Sequence, residues 1–151
     1  MRKRHQAFTL VELMVTVAVL AIIIGIAIPS FTEMLRQNTL RSQANELLGI
    51  MHYARTEAIK RRVNVSVQIT PGNGWKAEVM QPGSTTVLRV ADKTNTSVTL
   101  NGSQVSNLVF DIRGRRESAD SCYQLSYHNN YRRLLVEVGG ALKVENGQCG
   151  G

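Results

Sequence analysis

A single carboxylate interrupts the most apolar part of this chain. Residues 8–28 form a run of twenty-one residues in which Glu12 is the only charged side chain. An unpaired acid within a membrane costs about 2.5 to 3.5 kcal/mol at the bilayer centre and less near its edge. Two interpretations follow. Either Glu12 reaches the lipid headgroups from one turn inside, or it forms an ion pair with a positive group that another chain supplies.

Two basic clusters are the only candidates for a ligand surface. They comprise Arg113, Arg115 and Arg116, and then Arg132 and Arg133 together with Lys143. One interpretation is a solvated surface whose local counter-charges are Asp111, Glu117 and Asp120. The other is phosphate binding by arginine side chains, with an affinity that falls steeply as salt rises.

Cys122 and Cys149 are the only cysteines. In a domain outside the cytoplasm an even count predicts a disulfide, and two free thiols are the alternative. No C-x-x-C motif or histidine cluster indicates zinc, so the sequence predicts neither a metal nor a cofactor. The histidines, His5, His52 and His128, belong to no catalytic motif. We therefore expect that the protein is not an enzyme.

The apolar run is long enough to cross a membrane. At about 1.5 Å per residue it makes roughly 30 Å of helix, which matches the hydrocarbon core of a bilayer. Three of the chain's seven net positive charges lie before it, at Arg2, Lys3 and Arg4. The positive-inside rule then places the N-terminus in the cytoplasm and the rest of the chain outside. A secretory signal peptide is the competing interpretation, but the run is longer than a usual h-region and lacks a small-x-small cleavage site.

The helical pattern continues beyond Pro29, where the missing backbone donor predicts a kink. An apolar stripe with helical spacing comprises Leu40, Ala44, Leu47, Met51, Ala54 and Ala58. This stripe predicts an amphipathic helix to about Arg62, and we expect it to belong to the core.

From Val63 the apolar period changes to two. Val63 to Ile69 and Trp75 to Val79 alternate around a Pro-Gly-Asn-Gly turn, which predicts a hairpin. Further strands are predicted at 85–91, 96–100, 104–112, 121–128, 132–138 and 141–145. One long helix followed by antiparallel strands is an α+β fold, with the helix packed on a β-rich globular domain.

The N-terminal motif resembles a known family. Ala7-Phe8-Thr9-Leu10-Val11-Glu12-Leu13, after a short basic leader, is similar to the class III signal of type IV pilins and type II secretion pseudopilins. The resemblance implies that a prepilin peptidase cuts between Ala7 and Phe8 and N-methylates Phe8. It also implies that Glu12 and Pro29 serve subunit assembly, with Glu12 neutralising the new amine of an adjacent subunit. Ala7 stands where the family usually has glycine.

The predicted organisation follows from this resemblance. Residues 1–7 are a leader peptide, 8–34 the transmembrane and assembly half of the helix, 35–62 its amphipathic half, and 63–151 a periplasmic β-rich domain. Two further segments resemble, more weakly, the FimT/GspH branch of minor pilins and H-type pseudopilins. They are Phe110-Asp111-Ile112-Arg113-Gly114-Arg115 and the strand ending at Gly139-Gly140. A minor pilin is therefore expected. 

The resemblance implies three functions, in this order: a structural minor pilin of the initiating or tip complex, a DNA-binding minor pilin in DNA uptake, and an H-type pseudopilin of a secretion system. The implied partners are other minor and major pilins, the prepilin peptidase, the inner-membrane assembly platform and membrane lipid, with DNA as an alternative. Some FimT-type pilins bind DNA through Gly-Arg-x-Arg. The matching place here reads Gly140-Ala141-Leu142-Lys143, and lysine cannot make the bidentate contact of arginine. The DNA-binding function therefore ranks below the structural one.

Overall fold

The computed structural model describes residues 8–72, 74–81, 83, 86–94, 96–102, 107–116 and 121–150. It divides the chain into two compact units, Met1–Leu35 and Arg36–Gly151. The described residues contain one α-helix, α1, which runs from Leu10 to Arg61. Its last residue is followed by Arg62 in the left-handed region, at φ 55°, a conformation that commonly ends helices.

The two parts of α1 differ in burial. From Leu10 to Leu35 no residue is buried. Among the described residues, α1 is the one helix long and apolar enough to cross a membrane. From Leu40 onward one face is buried. The whole predicted stripe lies on that face: Leu40, Ala44, Leu47, Met51, Ala54 and Ala58. The prediction of a core-facing helix is therefore confirmed.

In the described part of the chain, eight strands follow the helix. They are β1 (Val65–Gly72), β2 (Gly74–Met80), β3 (Val87–Asp92), β4 (Thr99–Gly102), β5 (Leu108–Phe110), β6 (Ser121–Tyr127), β7 (Asn130–Val136) and β8 (Leu142–Asn146). The order across the sheet is β5-β1-β2-β4-β6-β7-β8, with β3 paired to β2. All pairings are antiparallel except one short parallel contact, Gly74 with Thr99, between β2 and β4. The predicted α+β fold is confirmed, and that parallel contact is an addition to it.

The helix and the sheet share one core. Alternate residues of β1 and β2 are buried because successive side chains of a strand point to opposite faces. Trp75 is 1% exposed, and its indole Nε1 donates a 2.9 Å hydrogen bond to Oε1 of Gln43, a buried residue of α1. The bond satisfies two polar groups that would otherwise be costly to bury. It also fixes the helix in register on the sheet.

Two glycine turns meet beside the helix. Gly114 has φ 71° and Gly140 has φ 80°, a region that residues with a Cβ rarely adopt. A Cβ on Gly140 would collide with the carbonyl oxygen of Gly114, and one on Gly114 would approach the Ile59 side chain of α1 to 2.6 Å. The two segments that resemble the FimT/GspH branch therefore meet in space. Glycine at position 140 is therefore required for the two backbones to come this close.

Candidate functional site

The N-terminal segment begins with a capped helix. The backbone N–H of Glu12 donates to Oγ1 of Thr9 at 3.2 Å, and the N–H of Leu13 donates to the Thr9 carbonyl oxygen at 3.2 Å. Thr9 therefore caps α1, and Thr9-Leu10-Val11-Glu12 has the spacing of a capping box. This role of Thr9 was not predicted from the sequence, although the Thr-x-x-Glu spacing indicates it. The cap starts the helix immediately after Phe8.

Glu12 lies in the first turn of α1, where the helix dipole favours a negative charge. Its neighbours on either side, Val11 and Leu13, are apolar and exposed. Among the residues that the structure describes, no cation forms an ion pair with its carboxylate. The carboxylate is thus presented on an apolar helix without a counter-charge from the described chain.

Pro29 lies inside α1, where Thr32 Oγ1 donates to its carbonyl oxygen at 2.9 Å. A proline at an interior position removes one backbone donor from the helix. Phe8 is exposed and precedes the first helical residue. Ala7, on the other side of the expected cleavage point, lies outside the described residues, as does the rest of the segment 1–7.

Cys122 and Cys149 form a disulfide, and the described residues contain no free cysteine. Cys122 lies in β6 and Cys149 in the segment after β8. The backbone N–H of Cys149 also donates to Oε1 of Gln124, two residues beyond Cys122 in the same strand, at 3.0 Å. The C-terminal segment is thereby attached to β6 at two adjacent points.

Replacing both cysteines by serine, in Cys122→Ser/Cys149→Ser, should lower the free energy of unfolding by about 3 to 4 kcal/mol. The bond closes a loop with a sequence separation of 27, and its loss restores that entropy to the unfolded chain. Urea unfolding of the full chain in detergent measures the change. The reduced wild-type protein should match the variant, because reduction breaks the same bond. Equal midpoints for the variant and the oxidised wild type would contradict a stabilising bridge.

Three of the six basic residues in the predicted clusters already have acidic partners. Lys143 Nζ lies 2.7 Å from Glu137 Oε1, and this hydrogen bond raises the pKa of the lysine. The other two pairs are Arg133 NH2 with Glu145 Oε2 at 2.7 Å and Arg115 Nε with Asp111 Oδ2 at 3.4 Å. These three side chains are therefore less available to an external anion than the sequence indicates.

Asp111 organises the turn that carries Arg113 and Arg115. Its Oδ1 accepts hydrogen bonds of 2.8 Å from the backbone N–H groups of both arginines. The bond from Arg115, and then that from Arg113, lowers the pKa of the Asp111 carboxyl against the opposing effect of burial. Because folding lowers this pKa, the ionised group stabilises the turn above the ordinary carboxyl pKa. The contribution is lost as the pH falls through the folded value.

Arg116, which the sequence groups with the exposed Arg113 and Arg115, is buried in the structure. It is 4% exposed, its backbone N–H donates to the Val138 carbonyl oxygen at 3.0 Å, and its NH1 donates to that of Val136 at 3.4 Å. An isolated antiparallel β-bridge also pairs its backbone with Phe110. Two of the acidic residues predicted as counter-charges of this cluster, Glu117 and Asp120, lie outside the described residues.

Arg132 and Arg133 are separated by the strand that carries both. Successive residues of a strand face opposite sides of the sheet. Arg132 lies on the side of α1, with the buried Leu134 and Val136, whereas Arg133 faces Glu145 on the other side. Arg113 remains exposed, without a side-chain partner among the described residues. The predicted basic residues therefore do not share one environment. Three of them are ion-paired, Arg116 is buried, and Arg113 and Arg132 have no acidic partner among the described residues.

The described residues contain no group of three or more histidine, cysteine, aspartate or glutamate side chains that could hold a metal ion. The arrangement that they do provide is an interaction surface: an exposed apolar segment, residues 8–28, in which Glu12 is the only charged residue, followed along the chain by a domain that contains a disulfide.

Comparisons with known proteins match both parts of this arrangement. A family model described as "Type II transport protein GspH" matches residues 43–141, and one described as "Prokaryotic N-terminal methylation motif" matches residues 2–28. No match to a curated protein was found.

Two similar solved structures are crystal forms of the type IV minor pilin FimU from Pseudomonas aeruginosa. The first is 25% identical, with a TM-score of 0.64, and the match covers 74% of this chain and 95% of that one. The second is 23% identical, with a TM-score of 0.62, over 72% of this chain and 97% of that one. The fold described above is therefore that of a FimU-like pilin.

Proposed function

Because this chain belongs to the GspH branch of the type IV pilin-like family and carries its N-terminal methylation motif, we propose that it is a minor pilin. In this proposal it is a structural subunit of a type IV pilus and enters the filament through its N-terminal helix. The family is one of structural subunits, and we assign no reaction to the chain itself. Its only chemistry is processing by the prepilin peptidase.

Glu12 is the observation that carries the proposal. It is the only charged residue of the exposed apolar run 8–28, and no cation among the described residues pairs with it. Cleavage before Phe8 would create a positive amine at the start of the same segment. In a bundle of such helices the amine of one subunit would meet the carboxylate of the next, where low dielectric strengthens the attraction.

The membrane stage follows from the same segment. Before assembly the exposed part of α1 would lie in the inner membrane, with residues 1–7 in the cytoplasm and residues 63–151 in the periplasm. The domain division proposed from the sequence is retained: 1–7 leader, 8–34 membrane and assembly segment, 35–62 amphipathic helix, 63–151 globular domain. The mature subunit would then join other minor and major pilins at the assembly platform, in the initiating or tip complex.

The mature protein should begin at Phe8 and carry one methyl group on its amino nitrogen. The peptidase would remove the basic leader, which otherwise keeps positive charges at the membrane surface. N-terminal sequencing and intact mass of material purified from membranes and from filaments measure both changes. An Ala7→Gly variant restores the usual family residue and should yield the same N-terminus. A chain that begins at Met1, or at any residue other than Phe8, would overturn the proposal.

A second candidate is an H-type pseudopilin of a type II secretion system, and the match to the family of the type II transport protein GspH favours it. The two solved relatives are pilus subunits, which favours the pilus. Cross-linking in cells, followed by identification of the co-purified subunits, separates the two. Recovery of major and minor pilins supports the pilus, whereas recovery of secretion pseudopilins alone supports the second candidate.

The DNA-binding alternative has less support from the site. Arg115, Arg133 and Lys143 are ion-paired, and Arg116 is buried. A phosphate backbone is bound by several unpaired cations in a row, because affinity depends on the number of phosphates neutralised. We therefore keep the structural subunit as the proposed function.

A further inference from the structure

A polar pocket lies between α1 and the end of the β6-β7-β8 region. Its volume is about 280 Å³. The residues that line it include Leu40 and Arg41 from the helix, Asn129 from the turn before β7, Arg132 from β7 and Asn146 from β8. None of the described residues that line it is acidic. The pocket therefore has two guanidinium groups and several amides, but no negative charge.

The two arginines of this pocket are not compensated. No described residue forms a hydrogen bond or ion pair with the side chain of Arg41 or Arg132. Burial, and then the positive charge of Arg41, lowers the pKa of Arg132. On the other side of the same strand, Arg133 has Glu145 as its partner. The fold thus neutralises one arginine of β7 and leaves its neighbour facing a second positive charge.

We propose that this pocket binds a carboxylate of a neighbouring filament subunit, an inference that rests on the proposed function. Arginine binds carboxylates through paired N–H donors, and two guanidinium groups at one concave site can hold both oxygens of one acid. The amide groups of Asn129 and Asn146 supply further donors at the rim. Arg41 belongs to the same helix, α1, through which the subunit is proposed to assemble. A neighbour that packs on this helix would bring its acidic group within reach.

The size and charge of the pocket favour a single carboxylate over a nucleic acid. A nucleic acid follows a row of cations along its phosphates. Here only two unpaired arginines line the pocket, and the adjacent basic residues Arg133 and Lys143 are paired with acids. A concave site of this volume accommodates one acidic side chain or a chain terminus.

The first test reverses both charges, in Arg41→Glu/Arg132→Glu. We expect the share of the variant in sheared filaments to fall at least about tenfold while its amount in the membrane stays normal, because two carboxylates would repel the incoming acid. Arg113→Glu is the matched control, since Arg113 is exposed and its side chain has no partner among the described residues, but it does not line the pocket. Normal incorporation of the double variant, or an equal loss in the control, would overturn the proposal.

The second test separates binding from folding. Arg41→Gln removes one of two like charges, so thermal unfolding of the full chain in detergent should occur at the same or a higher temperature. Incorporation should nevertheless fall. If the melting temperature and incorporation fall together, Arg41 has a structural role and the proposal is wrong.

The third test identifies the occupant. A photo-cross-linking amino acid at Asn146 should yield an adduct with another subunit, at a peptide that contains an acidic residue or a C-terminus. An adduct with a peptide lacking both would contradict the carboxylate. If instead the full chain binds duplex DNA and Arg41→Glu/Arg132→Glu abolishes that binding, the occupant is a phosphate and the proposal is overturned.

The proposed function and this inference fail in different ways. Normal incorporation of Glu12→Gln would refute assembly through the N-terminal carboxylate. If Glu12→Gln is absent from filaments while Arg41→Glu/Arg132→Glu is incorporated normally, the proposed carboxylate binding in the pocket is refuted and the proposed function is not.

Discussion

Glu12→Ala should leave the precursor in the membrane at its normal amount and reduce the share of the subunit in filaments by about two orders of magnitude or more. Removing one partner of a buried ion pair leaves the other charge uncompensated, at about 3 to 5 kcal/mol. Here that other charge would be the amine of an adjacent subunit. Immunoblots of membrane and sheared-filament fractions from the same cells measure the two amounts.

Two further variants define what Glu12 contributes. Glu12→Gln keeps the size and loses the charge, so it should be lost from filaments as Glu12→Ala is. Glu46→Gln removes a partly exposed carboxylate of the same helix that pairs with Lys93 at 3.1 Å, and an exposed pair contributes little. It should assemble normally. Normal filament levels of Glu12→Gln would show that the charge has no part in assembly.

Gly140→Ala should lower the free energy of unfolding by about 2 to 6 kcal/mol. The positive φ of 80° adds backbone strain, and the new Cβ would collide with the carbonyl oxygen of Gly114. Relief of the collision requires the two turns to separate beside α1. Thermal or urea unfolding of the full chain in detergent measures the loss.

The adjacent glycine provides the control for this prediction. A Cβ on Gly139 would have no atom within 4 Å, and its φ is not in the left-handed region. Gly139→Ala should therefore be close to wild type in stability. Equal midpoints for Gly139→Ala and Gly140→Ala would contradict the close approach of the two turns.

The fold could be predicted from the sequence where periodicity determines which face is buried. The stripe from Leu40 to Ala58 repeats every three to four residues, and all its members are buried. The alternation around Trp75 likewise predicted the β1-β2 hairpin. Periodicity predicts which face of a helix or strand is buried, but not which residues of another element pack against that face. The bond between Gln43 and Trp75 and the parallel contact of Gly74 with Thr99 therefore could not be predicted.

The candidate site was predictable to a smaller extent. Glu12 stands out because a charge in an apolar run is costly, and the two cysteines stand out by their number. The basic clusters were grouped by closeness in sequence, but a strand sends Arg132 and Arg133 to opposite sides. Arg116 belongs by sequence to the cluster with Arg113 and Arg115, but in the structure it bridges to Phe110 and is buried. Long-range contacts decide both cases, and the local sequence does not contain them.

The contact between Gln43 and Trp75 makes tryptophan fluorescence a probe of the junction between the helix and the sheet. Trp75 is the only tryptophan in the chain, so the intrinsic emission of the protein comes mainly from the point where the helix meets the sheet. When that junction opens, water reaches the indole and its fluorescence maximum moves to longer wavelength. Docking of the helix on its domain is therefore readable in solution, without any attached dye.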